Sequence, residues 1–344
     1  GVMKARSLDI SLGPEESASR FTLSDLQARL GGPLSGTFSG ADIALAAVPL
    51  DLQEASGEWR FADGRLLLDN GSFMLRDRES PARFEPLLAR NAELALVDNR
   101  ITAQAALRNP ASDRLVTDVE VRHDLASGAG RADLDIPGVR FDEALQPLDL
   151  SLLAKGVVAN AEGVVTGQGR IVWSPDGEVT STGQFSSESI DFAAAFGPVR
   201  GASGTIEFTD LLGLTTAPGQ TLRVASVNPG IEVADGEVGF ELRNGEVLAV
   251  AGGSWPFMGG ELILRAVDLN LGVSEERRYI FEIVGLDAGT FVTEMDLENI
   301  SATGLFDGAV PIVFDANGNG RIDTGVLISR PPGGTVSYVG ELTY

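Results

Sequence analysis

Trp59-Arg60-Phe61-Ala62-Asp63-Gly64-Arg65-Leu66-Leu67-Leu68-Asp69-Asn70-Gly71-Ser72-Phe73-Met74-Leu75 is the stretch whose reading decides the fold. Three short apolar runs, at 59–61, 66–68 and 73–75, are separated by Ala62-Asp63-Gly64 and by Asn70-Gly71. Asp-Gly and Asn-Gly supply the two positive-φ residues of the turn that joins antiparallel strands. The stretch therefore predicts two successive hairpins. The same grammar recurs at 94–97, Asp98-Asn99 and 101–105, and again at 231–233, Asp235-Gly236 and 238–242. Near the start, Leu8, Ile10 and Leu12 alternate with Ser7, Asp9 and Ser11, the period of two that marks a strand. With 42 glycines as punctuation, the chain reads as mostly β, a long antiparallel meander.

Helical spacing is scarce. Residues 24–29, 141–155 and 288–297 predict three short helices, the second interrupted by Pro147. Each is too short to stand without packing on something. Leu34-Ser35-Gly36-Thr37-Phe38, Ser181-Thr182-Gly183-Gln184-Phe185 and Ala302-Thr303-Gly304-Leu305-Phe306 share a loose Ser/Thr-Gly-x-Phe pattern. Their irregular spacing excludes a fixed-period solenoid.

Composition narrows function before any motif is read. The 344 residues carry 26 basic and 49 acidic side chains, a net charge of −23 that disfavours nucleic acid as a partner. The absence of cysteine removes disulfides, thiol catalysis and zinc–thiolate sites. His123 is the sole imidazole, and its alternating surroundings mark it as a surface residue rather than a catalytic base. With 43% hydrophobic residues, disorder is not the default. No run approaches the ~18–20 apolar residues of a membrane-spanning helix. Gly1-Val2-Met3-Lys4 carries no signal core and reads as the start of an excised segment.

Within 163–173, Val165, Gly167, Gly169, Ile171 and Trp173 face one way, and Val164, Thr166, Gln168, Arg170 and Val172 the other. Ile206 and Phe208 repeat this division, as do Val238 and Phe240. An apolar face of this kind is either a closed core or a concave surface for a greasy ligand, and few bulky aromatics among many glycines favour the open face. The candidate lining is Val165, Ile171, Trp173, Phe185, Ile206, Phe208, Val238, Phe240, Phe281 and Ile283. Register is not readable from one sequence.

The sharpest local motif is Asp315-Ala316-Asn317-Gly318-Asn319-Gly320-Arg321-Ile322-Asp323. It matches the first nine positions of an EF-hand loop, with Val326 where the bidentate glutamate belongs. A glycine-rich hairpin turn is the commoner reading. A weak calcium turn held by Asp315, Asn317, Asn319 and Asp323 is the other, and no further cofactor is expected. Gly167-Gln168-Gly169 lacks the third glycine of a dinucleotide loop and reads as a strand approached closely. Asn228-Pro229-Gly230, Trp255-Pro256-Phe257 and Pro331-Pro332-Gly333-Gly334 read as rigid turns. Acidic pairs such as Asp142-Glu143 and Glu275-Glu276 read as solvated faces. No catalytic constellation emerges, and the expectation is a protein that is not an enzyme.

Several landmarks together resemble the YdbH-like proteins of the AsmA-like group. They are Gly183 to Phe185 with Ile190-Asp191-Phe192, Phe208-Thr209-Asp210-Leu211-Leu212-Gly213-Leu214, Asn228-Pro229-Gly230-Ile231, Trp255-Pro256-Phe257 and 304–314. The resemblance covers 137–340, so that two segments are expected: a β-rich 1–136 continuing the sheet, and a YdbH-like 137–344. It implies a sheet curved into an open apolar trough, β-taco-like, that conducts phospholipid between the inner and outer membranes of a Gram-negative bacterium. It further implies a periplasmic location, an inner-membrane helix outside this sequence and an outer-membrane or periplasmic protein partner at the C-terminal end. The bland alternative is a structural or adhesive envelope β-protein with a closed core. An enzyme acting on envelope glycans through paired carboxylates stands well behind.

Overall fold

The computed structural model describes the chain apart from residues 13–18, 30–32, 46–47, 195–196, 229–231, 316–319 and 339–344. Period-two alternation becomes strand along most of the described chain, and 23 strands share one hydrogen-bonded sheet. From Ser19–Arg29 to Gly130–Phe141, each strand pairs antiparallel with the next in sequence. Among the described residues no ladder joins the first strands to the last. The expected mostly-β antiparallel meander is what the chain forms.

The two margins of this ladder are built differently. Asp63-Gly64, with φ of 51° and 74°, links Leu50–Ala62 to Arg65–Asp77, and Asp98-Asn99, with φ of 48° and 61°, links Leu87–Val97 to Arg100–Arg108. These are the two-residue hairpin turns read from the sequence. At the other ends of the same strands lie the longer connections 45–49, 78–86 and 109–114, and 142–157 follows Gly130–Phe141.

Asn70-Gly71 is not a turn. It lies inside the strand Arg65–Asp77, where Asn70 has φ of 53° and the ladder shifts register around it. Gly40, Glu54 and Asn91, with φ of 58°, 54° and 56°, mark the same level in Leu34–Ala44, Leu50–Ala62 and Leu87–Val97. Four adjacent strands thus carry a row of β-bulges. Each bulge inserts one residue, so the apolar alternation restarts three positions on: Phe38 to Ala41, Leu52 to Ala55, Leu68 to Gly71 and Ala89 to Ala92. Asp235-Gly236 corrects in the same way. Asp235 has φ of 57°, yet the strand Val233–Arg243 runs on through it against Gln220–Val227. Asn and Asp followed by Gly supply a left-handed residue, and both a turn and a bulge use one.

Aspartates satisfy several of the backbone groups freed by such kinks. Glu54 N–H donates to Asp42 Oδ1 at 3.0 Å, Gly201 N–H to Asp191 Oδ1 at 2.7 Å and Gly285 N–H to Asp307 Oδ1 at 2.9 Å. In each case the acceptor sits on the neighbouring strand.

Of the expected helices, 24–29 is strand instead, within Ser19–Arg29. The apolar phase changes between Leu23 and Leu26, opposite Gly40, and this three-residue step imitates helical spacing. The expected helix at 141–155 reduces to two 3₁₀ turns, Pro147–Asp149 and Leu152–Ala154, with Pro147 opening the first. The third exists as Ala288–Glu294, capped by Asp287, whose side chain accepts from Thr290 N–H at 2.7 Å. Trp255-Pro256-Phe257 closes the strand Val247–Phe257 rather than forming a turn, and the turn falls at Met258-Gly259. Pro229 and Gly230 lie outside the described residues.

The chain divides into two compact units. Unit 1 comprises Gly1–Leu153, Val164–Ser186 and Glu207–Thr215, and unit 2 comprises Ala154–Gly163, Ser187–Ile206 and Thr216–Tyr344. Unit 2 holds the larger buried cluster, running through Val227, Trp255, Leu264, Tyr279, Phe281 and Phe314. Unit 1 has three small clusters, built on Val48 and Ile171, on Leu87, Ala89 and Leu107, and on Ile136, Val139 and Leu145. Around these, most apolar side chains of unit 1 stay half-buried.

Candidate functional site

The strand Val158–Trp173 carries the division read from its sequence. Ile171 is buried and Val165 and Trp173 are half-buried, whereas Thr166, Gln168 and Arg170 are exposed. Next to it on the apolar side are Phe185 and Phe208, rings edge to face with centroids 5.5 Å apart. Glycine makes this arrangement possible. A Cβ at Gly167 would stand 2.6 Å from Phe185 Cδ1, and one at Gly183 would stand 3.0 Å from Phe185 Cε2. Trp173 likewise lies over Gly130, and its Nε1–H donates to His123 Nδ1 at 3.1 Å. The lone imidazole is thus an acceptor for a face residue.

Five of the ten candidate lining residues, Val165, Ile171, Trp173, Phe185 and Phe208, belong to unit 1. The other five belong to unit 2, where Ile206, Val238 and Phe240 are half-buried. Phe281 and Ile283 are 2% and 8% exposed, packed in the cluster of Trp255 and Tyr279. Alternation follows the burial along Val158–Trp173 but carries no signal for what lies over a face.

Two features of unit 1 escaped the sequence. One is a cleft of about 1280 Å³ crossing the strands from Arg90 to Phe208. Its border mixes Leu134, Gly169 and Phe208 with the charges of Asp118, Glu120, Asp133, Arg170 and Glu207, and Arg170 Nε meets Asp133 Oδ1 at 2.6 Å. The charges are at alternate positions that read as solvated, and concavity depends on how strands bend. The other is the cover over the apolar face, supplied by the long connections. Val48, Phe84, Leu145 and Leu150 pack onto it from outside the strands. Arginines fasten this cover: Arg78 donates to Leu45 O and Val48 O at 2.6 and 3.1 Å, and Arg83 to Leu212 O at 3.0 Å. Arg83 also forms a two-pronged pair with Asp77, at 2.8 and 2.6 Å.

Residues 316–319 of the calcium motif, with Asn317 and Asn319 among them, lie outside the described residues. The strands on either side, Leu305–Phe314 and Gly320–Ile322, pair antiparallel, and Asp323 Oδ2 lies 3.4 Å from Arg278 Nη1. Among the described residues no group of three or more acidic or histidine side chains could hold a metal ion. No helix among them is long and apolar enough to cross a membrane.

A family profile described as "YdbH-like: Intermembrane phospholipid transport protein YdbH" matches residues 1–344. The chain belongs to the YdbH-like family. The match takes in 1–136, where the sequence offered no landmark, as well as 137–340, where it did. Neither a curated protein nor a solved structure matches the chain. The family is one of intermembrane phospholipid transport.

Proposed function

We propose that the chain is a periplasmic stretch of a bridge, anchored in the inner membrane by its parent protein, that conducts phospholipid between the inner and outer membranes along an open apolar groove. The half-buried apolar face of unit 1 carries this reading, with Val165, Trp173, Phe185 and Phe208 as its first contacts and Ile171 as support behind them. A dry core would have buried these side chains. Nearly equal affinity at successive positions lets a lipid slide, and a headgroup stays in water at the open side. The net charge of −23 supports solubility and disfavours lying flat on an anionic bilayer. A closed, structural role is favoured for unit 2 alone, by the dry packing of Trp255, Tyr279 and Phe281.

The test is Phe208→Glu in the full chain, purified from a Gram-negative host and weighed by native mass spectrometry. The expected outcome is loss of most co-purifying phospholipid with an unchanged circular dichroism spectrum. Retention of lipid, or an unfolded variant, removes Phe208 from the lining, and a wild-type chain that carries no lipid removes the groove.

A further inference from the structure

The connection between Gly130–Phe141 and Val158–Trp173 folds back over the sheet instead of away from it. Its residues 142–153 belong to unit 1. Leu145 is fully buried beside Ile136, Val139, Phe141 and Phe185. Leu150 joins that cluster to the one built on Leu87, Ala89 and Leu107. Two leucines thus fill the apolar face beside Phe185, whose ring touches Phe208.

The ties that hold this segment to its surroundings come from side chains and loops rather than from a strand ladder. Glu85 N–H donates to Leu150 O at 2.7 Å, Ser151 Oγ to Arg83 O at 2.7 Å and Asn109 Nδ2 to Asp149 O at 3.2 Å. Arg114 Nη2 meets Asp142 Oδ2 at 2.7 Å. The segment's own structure is one isolated bridge, Asp142 to Leu145, and short turns, so lifting it opens none of the sheet's ladders. Its outer side is mixed, with Leu148 and Leu152 41% and 54% exposed beside exposed Glu143 and Asp149.

We propose that residues 142–153 are a displaceable plug, in which Leu145 and Leu150 hold the place of an acyl chain beside Phe185 and leave when phospholipid takes that face. This rests on the transport reading above. The closed segment keeps the face dry when no lipid is present, and because its ties lie outside the sheet's ladders cargo competes for the face without opening a strand.

The Glu85 amide reports on the plug directly, because its partner is the Leu150 carbonyl. Hydrogen exchange is measured on the full chain with and without vesicles of equimolar phosphatidylethanolamine and phosphatidylglycerol, and bound lipid is counted in parallel by native mass spectrometry. Loading is expected to speed exchange at Glu85, Leu150 and Ser151 by roughly tenfold or more while the strands Leu87–Val97 and Gly130–Phe141 stay protected. Leu150→Ala is expected to raise lipid occupancy several-fold at limiting vesicle concentration. Ser151→Ala, which deletes the bond to Arg83 O and the one accepted from Leu153 N–H while leaving the leucine packing in place, is expected to do so more weakly and serves if the first variant does not fold. Lipid uptake with unchanged protection at Glu85 overturns the plug and leaves the transport reading standing. No uptake by wild type or by either variant overturns both.

Discussion

At the scale of single residues, the most constrained charge in unit 1 is Asp77, whose side chain is fully covered. Burial alone would push its carboxyl up, but the Arg83 side chain and the N–H groups of Arg83 and Glu79 donate to it and hold it below the ordinary carboxylate range. A carboxyl held down in the folded state stabilises it at pH above the unfolded value of about 3.9, and this contribution is lost as pH falls below that value. Asp77→Asn is therefore expected to cost about 2–3 kcal/mol at neutral pH and to flatten the acid limb of stability. Denaturant unfolding of both proteins between neutral pH and about pH 3 decides it, and identical slopes would show that the pair is not what fastens residue 83. Nothing in the sequence marks Asp77 among 49 acidic residues, because its partner and its burial both depend on the fold of a loop. The glycines were misjudged for a similar reason. Their abundance suggested an unfilled face, yet Gly236 and Gly253 flank Trp255 so closely that a Cβ on the former would overlap the indole nitrogen. Space left by one strand is filled by a ring from its neighbour.

At the scale of elements, local chemistry marks most strands, but a bulge imitates a helix at 24–29 and a turn at Asn70-Gly71. Alternation is a property of neighbouring residues, so strands such as Val158–Trp173 were legible directly. Asn70-Gly71 and Asp98-Asn99 look alike in sequence; one kinks a strand and the other ends it. The difference lies in what the next strand pairs with, which is not local information. A three-residue step in the apolar phase, as from Leu68 to Gly71, is the sign that distinguishes a bulge. If Asn70 must be left-handed, Asn70→Gly should be neutral to within about 0.5 kcal/mol, whereas Asn70→Val should cost about 1–2 kcal/mol. Chemical denaturation measures both, and equal stability of the two variants would mean that the backbone there adapts to its side chain.

At the scale of the molecule, the two units differ in how their apolar faces are finished, and this difference predicts where cargo can touch. A photoreactive phenylalanine analogue at Phe185 or Phe208 should capture phospholipid in cells, whereas the same group at Phe281, 2% exposed in unit 2, should capture none. Comparable capture at all three would mean that unit 2 opens as well. The family landmarks lie between residues 137 and 340, and the profile match extends the family to the first residue. The open and packed parts were not separable by eye, since half-buried and buried apolar residues obey the same alternation.

The neighbour-to-neighbour pairing of strands between residues 19 and 141 has a consequence for how the chain is made. Every strand in that stretch closes on a partner synthesised just before it, so no ladder there waits for a distant residue to arrive. Order can advance in the direction of synthesis, hairpin by hairpin, with small loop-closure entropy at each step. The newest strand is always the unpaired edge, and the next one to emerge covers it.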